Sequence, residues 1–174
     1  AAAQLEMREA DSKDTFSVYL SGREEPIVTQ HARPDFRPYL HPLRAPDGKG
    51  VLTEHSPEHH RHQTGIYWGF TRVNGRDYFH HPGGDYWRRV SASILQPSSD
   101  GPRGVGSWQT VDELLDEQGE AVLTETQIWT LRAEEDCYVL KLQWIGKAHT
   151  DVTIGQYVYG GLFLRMPWRE GLPA

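Results

Sequence analysis

In the stretch Tyr138-Val139-Leu140-Lys141-Leu142-Gln143-Trp144, the residues Tyr138, Leu140, Leu142 and Trp144 alternate with Val139, Lys141 and Gln143. A period of two puts the first set on one face of an extended chain, so the stretch reads as a half-buried strand. Val122 to Leu131 (VLTETQIWTL), just upstream, is rich in β-branched residues and fits the same template. Before it, Thr110 to Glu120 (TVDELLDEQGE) has capping-box spacing at Thr110 and Glu113 and is the one helix candidate. A strand over about 104–115, a turn at Asp116-Glu117-Gln118-Gly119 and a return strand from Ala121 is preferred, because it supplies an antiparallel neighbour.

The same reading extends towards the N-terminus. Gly65 to Val73 (GIYWGFTRV) places Ile66, Trp68 and Phe70 on one face, and Asn74-Gly75, which tolerates positive φ at both central positions, predicts a type I′ hairpin returning over Arg76 to Phe79. Phe16 to Leu20, Pro26 to Gln30 and Leu162 to Met166 read as short strands, whereas 31–50 and 80–106 are rich in proline and glycine and read as long surface loops. No repeat is present. The expectation is an all-β, antiparallel β-sandwich, with residues 1–174 forming a single domain.

Composition narrows the function classes. The 174 residues are 37% hydrophobic with six Trp, eight Tyr and five Phe, enough large apolar surface to build a core. No apolar run approaches the roughly 20 residues that a membrane-spanning helix needs. Net charge is -6, and 112–136 hold nine acids against Arg132 alone, a balance that should repel nucleic acid and anionic lipid. Between Arg61 and Arg89 the sign reverses, so a polar or anionic ligand should prefer that half. Cys137 is the single cysteine, which excludes an internal disulfide or CxxC motif. Ala1 to Gln4 lack the features of a signal peptide.

Seven of the nine histidines lie between His41 and His81, most densely in Glu54-His55-Ser56-Pro57-Glu58-His59-His60-Arg61-His62. On an extended segment His60 and His62 would share a face about 7 Å apart, suiting two imidazoles to one metal or one substrate, and His59 would face away. His55 or His41 would add a third nitrogen, and Glu54 or Glu58 a carboxylate. One transition metal, copper, zinc, iron or manganese, would suit His55, His60 and His62. Without a metal, clustered imidazoles titrate near pKa 6.5 and pass protons at neutral pH. A solvated polar loop is the plain alternative. Trp87 belongs to a local aromatic set that would offer a stacking platform, and His80-His81 reads as a turn that happens to carry two histidines.

Arg37-Pro38-Tyr39-Leu40-His41-Pro42-Leu43, Glu54-His55-Ser56-Pro57, His59-His60-Arg61-His62-Gln63-Thr64-Gly65-Ile66, Trp68-Gly69 and Val73-Asn74-Gly75 together carry a resemblance. With Asp151-Val152-Thr153-Ile154-Gly155, Gly160-Gly161-Leu162 and Arg165-Met166, they make the chain similar to the bacterial family labelled "methane oxygenase PmoA-like". The resemblance implies a β-sandwich, often exported, hence periplasmic or secreted, in bacteria that process carbohydrates. It also implies a longer family domain, of which this chain would be the N-terminal portion, incomplete at the C-terminus, with exposed sheet edges driving self-association. A weaker, architecture-level similarity is to galactose-mutarotase-like supersandwiches.

These readings converge on a carbohydrate-active protein in which His55, His60 and His62, with Glu54, perform acid/base chemistry on a sugar or oligosaccharide. Arg37, Tyr39 and Arg165 would position its polar groups and Trp87 would stack on it. Two alternatives stay open: a metal-dependent oxidoreductase using the same histidines, and a non-catalytic carbohydrate-binding module.

Overall fold

The computed structural model describes residues 4–98 and 104–167, with the backbone alone for 96–98. It is an all-β sandwich of two antiparallel sheets. One holds β1 (Leu5–Glu9), β2 (Thr15–Leu20), β3 (Val28–His31), β4 (Tyr39–Leu43), β5 (Ile66–Gly69) and β10 (Gly161–Leu164), in that spatial order. The other holds β6 (Trp87–Ser98), β7 (Val105–Leu115), β8 (Ala121–Ala133) and β9 (Tyr138–Ala148). Among the described residues no helix is long and apolar enough to cross a membrane.

The meander of β7, β8 and β9 forms where the alternation predicts it. Residues 110–120 are not helical: the chain runs as strand to Leu115 and turns at Asp116, whose Oδ1 accepts the Gln118 and Glu120 N–H groups. Trp108 then stands opposite Trp129 and Leu114 opposite Leu123. Trp108 and Trp129 meet Phe16, Val18, Leu20, Val28, Leu40 and Ile66 from the facing sheet, whereas Leu114 and Leu123 pack with Val73, Tyr78, Trp87 and Val122 in a second cluster. Trp144 stacks on Trp68 of β5, centroids 5.0 Å apart, and continues the layer to its far side.

Three strands lie outside the sequence expectation. β1 was not predicted, β4 lies inside the expected loop 31–50, and β6 inside the expected loop 80–106. In β6 the pairing with β7 slips between Arg89 and Ser91 and again between Ile94 and Gln96, so its inward positions do not keep a period of two. The Asn74-Gly75 turn does form, with φ of 50° and 81°, but it closes only the bridge Val73↔Arg76, and β5 ends at Gly69.

The outer face of the six-stranded sheet prepares the site. The register aligns His31, Tyr39, Tyr67 and Phe163 side by side across β3, β4, β5 and β10. This aromatic row is roofed by two loops, 53–64 and 77–82.

Candidate functional site

Arg37 ties the two roofing loops together. It is fully buried, its guanidinium lies 3.6 Å from the Tyr67 ring centroid, and its Nη1 and Nη2 donate to the Phe79 and His62 carbonyls, each at 2.6 Å. Burial lowers its pKa to about 10, partly countered by Tyr67 and Glu125, so it remains a cation at neutral pH. All of this is internal bracing, and Arg37 is therefore not available to position a ligand, contrary to the expectation from sequence. The loop descends onto β4 at Gly65, φ 97°, where a Cβ would lie 2.2 Å from the Leu40 carbonyl oxygen, so glycine alone fits.

The histidines separate into two groups rather than one. His55 belongs with His31, Tyr39 and His41: its ring lies 5.2 Å from Tyr39 and 5.4 Å from His41, while His31 stacks on Tyr39 at 4.5 Å. Tyr39 itself is 8% exposed, packed between these imidazoles and Phe36. His41 Nδ1 bonds to Thr53 Oγ1, and His31 Nε2 donates to the His41 carbonyl. Burial, followed by the neighbouring His55 and His31, lowers His41 to about 4, and burial also lowers His31 and His55. These rings are neutral at physiological pH.

His60 and His62 belong to the second group. Residues 58–60 form a single 3-10 turn instead of the extended segment expected, yet the two rings still meet, 5.9 Å apart. His62 lies 4.6 Å from His80, and its ring nitrogens have no hydrogen-bond partner among the described residues. Burial, with His80, Arg37 and His60 adding to it, lowers His62 to about 4. His59 Nε2 accepts from Arg165 Nη2 at 2.9 Å, and His59 is not among the residues lining the hollow that His60 and His62 share.

Three expected ligand contacts become structural ones. Arg165 Nε donates to Glu54 Oε2 at 2.7 Å and its Nη1 to Gln63 Oε1 at 3.1 Å, so Glu54 and Arg165 brace the histidine loop against the end of β10, and neither lines the hollow of His60 and His62. Trp87 is 1% exposed, with its Nε1 donating to the His81 carbonyl, and cannot stack on a sugar. Among the described residues, no three His, Cys, Asp or Glu side chains are arranged to hold a metal ion, and His55 is separated from His60 and His62.

The residues that sequence reading missed are Asp77, His80 and Tyr159. Asp77 Oδ1 accepts the backbone N–H of Phe79 and His80, and Oδ2 accepts His80 Nδ1 at 2.8 Å. Burial alone would raise the Asp77 carboxyl, but the backbone and ring N–H of His80 hold it below its ordinary value. An ionised carboxylate only accepts, so His80 Nδ1 carries the proton of that bond, and in the neutral ring Nε2 presents a lone pair. That nitrogen lies 2.8 Å from the Tyr159 hydroxyl, which donates to it when the ring is neutral. Desolvation and Tyr157 raise the Tyr159 pKa, keeping the phenol protonated. The chain Asp77–His80–Tyr159 opens into a hollow of about 410 Å³ lined by His60, His62, Gln63, Phe79, His80, Tyr159 and Phe163. The i, i+3 spacing of Asp77 and His80 was the signal in the sequence. Tyr159, distant in the chain, left none.

No curated protein and no solved structure matches this chain. A family model does match, across residues 14–171 and hence most of the length, and on that ground the chain belongs to the family of unknown function DUF6807.

Proposed function

We propose that the hollow binds a sugar or sugar derivative and that Tyr159, His80 and His62 perform acid/base chemistry on it. The observation that carries this reading is the Asp77–His80–Tyr159 hydrogen-bonded chain ending at the hollow. Tyr159 passes its proton to His80 Nε2, Asp77 balances the resulting imidazolium, and the phenolate oxygen withdraws a proton from the ligand; the reverse transfer returns it. Its raised pKa makes that oxygen a strong base once stripped. His62, whose ring is neutral and whose ring nitrogens have no hydrogen-bond partner among the described residues, offers a second proton acceptor on the adjoining wall. Phe163, partly exposed over the buried Phe79, supplies apolar surface for a sugar ring face, and the volume accommodates a small ligand.

The test is proton NMR of the chain incubated in D2O with a panel of neutral and acidic sugars. Accelerated anomer exchange, deuterium uptake at carbon or new vinyl protons is the expected result, reduced by about 10²–10⁴-fold in His80→Ala and Tyr159→Phe. Turnover that survives both substitutions would remove the basis of this assignment.

A further inference from the structure

The layer between the sheets holds titratable groups that the hollow does not use. Asp112 of β7 stands in register with Glu125 of β8 on one side and Arg89 of β6 on the other. Both acids point inward, and their residues are 0% and 1% exposed. Glu125 is satisfied, accepting Gln127 Nε2 at 2.6 Å and Trp144 Nε1 at 2.9 Å. Asp112 is not: neither of its oxygens, nor the neighbouring Thr110 Oγ1, is paired at full hydrogen-bond geometry among the described residues, and the Thr110 hydroxyl favours the charged form less than burial and Glu125 oppose it.

The groups facing the pair are Thr110 from β7, Gln127 from β8, Trp144 from β9, Arg89 from β6 and Arg37 from the segment before β4. Neither cation makes a salt bridge to it. Arg89 is bonded to Asp14 and the Ala32 carbonyl, and Arg37 to the Phe79 and His62 carbonyls. A buried carboxylate without donors is costly, and two adjacent ones repel; both costs are relieved by retaining a proton.

We propose that Asp112 and Glu125 act as one buried proton-binding unit, which keeps the sandwich tight while protonated and loosens it as rising pH strips the proton. The two acids titrate as a pair rather than as separate sites. Burial and then the charge of Glu125 drive Asp112 well above its ordinary value, and burial raises Glu125 to about 7 against the opposing N–H groups of Trp144 and Gln127. Because the folded chain holds these protons more tightly than the unfolded one, their stabilising contribution is complete below the ordinary carboxylate values of 3.8 and 4.5. It is lost as the pH rises through the folded values. This inference is independent of the reading proposed for the hollow.

Infrared spectroscopy of the whole chain at pH 8 is expected to show the carbonyl stretch of a protonated carboxyl, absent from Asp112→Asn. Between pH 5 and 9 the Tm of the unmodified chain should fall relative to that of Asp112→Asn, by about 3 °C or more. Absence of the band in the unmodified chain, or parallel Tm curves, overturns the proposal. If Asp112→Asn does not fold, Glu125→Gln serves in the thermal test: a flatter curve through neutrality supports the unit and a parallel one refutes it.

Discussion

The imidazole groups on the outer face and the carboxyl pair between the sheets respond to the same force with opposite signs. Both are kept neutral by desolvation, which penalises whichever form carries charge. For His41 and His62 the charged form is the acid, so burial lowers the pKa to about 4; for Glu125 it is the base, and burial raises it to about 7. The histidines' contribution to stability is therefore present above about 6.5 and lost as the pH falls towards 4, whereas that of the acids is lost as the pH climbs. Stability should peak between the two limbs. Arg37 lies where the two regions meet, holding the roof of the hollow by hydrogen bonds and sensing Glu125 through the core.

Arg37→Met would break the division most severely. It leaves the Phe79 and His62 carbonyls without their donor, and the expected loss is about 3 kcal/mol or more in urea unfolding. A loss below about 1 kcal/mol would mean that burying the cation costs nearly what its bonds return. His41→Gln sharpens the comparison from the acid side. It should flatten the fall in stability between pH 6.5 and 4 by about 1 kcal/mol, given a ring that is only partly removed from water, and leave the alkaline limb in place. A change in the alkaline limb would show that the regions are coupled. The smallest effect belongs to Glu54→Gln, which removes the charge opposite Arg165. A part-exposed pair predicts a loss of about 0.5–1 kcal/mol that shrinks with added salt, read from Tm at low and high ionic strength.

Legibility differed among elements for reasons that lie in particular residues. The β7–β9 meander could be read because Trp108, Leu114, Trp129, Leu140 and Trp144 keep strict alternation, and because Asp116 and Gly119 have the chemistry of the turn. β6 could not, since its two register slips break the period and Arg88-Arg89 look solvated; β4 carries Pro42 and follows Pro38, which mask an extended segment. In the site, His60 and His62 were legible as a pair because they are close in sequence. Placing His55 with them failed because the chain between Glu54 and Gln63 turns back on itself, with Ser56 bonded to Gln63 and Arg61. Glu54, Arg37 and Arg165 looked like ligand contacts because a charge in sequence carries no record of its partner.

The residues alone thus determined the sheet-forming character of the chain and the crowding of imidazoles in one half, since period and composition are local properties. Only tertiary structure decided which imidazole faces which, that His80 reaches Tyr159 across 79 positions, and that Asp112 lies opposite Glu125. Those relations depend on strand order and register, where one residue of slip turns every side chain to the other face.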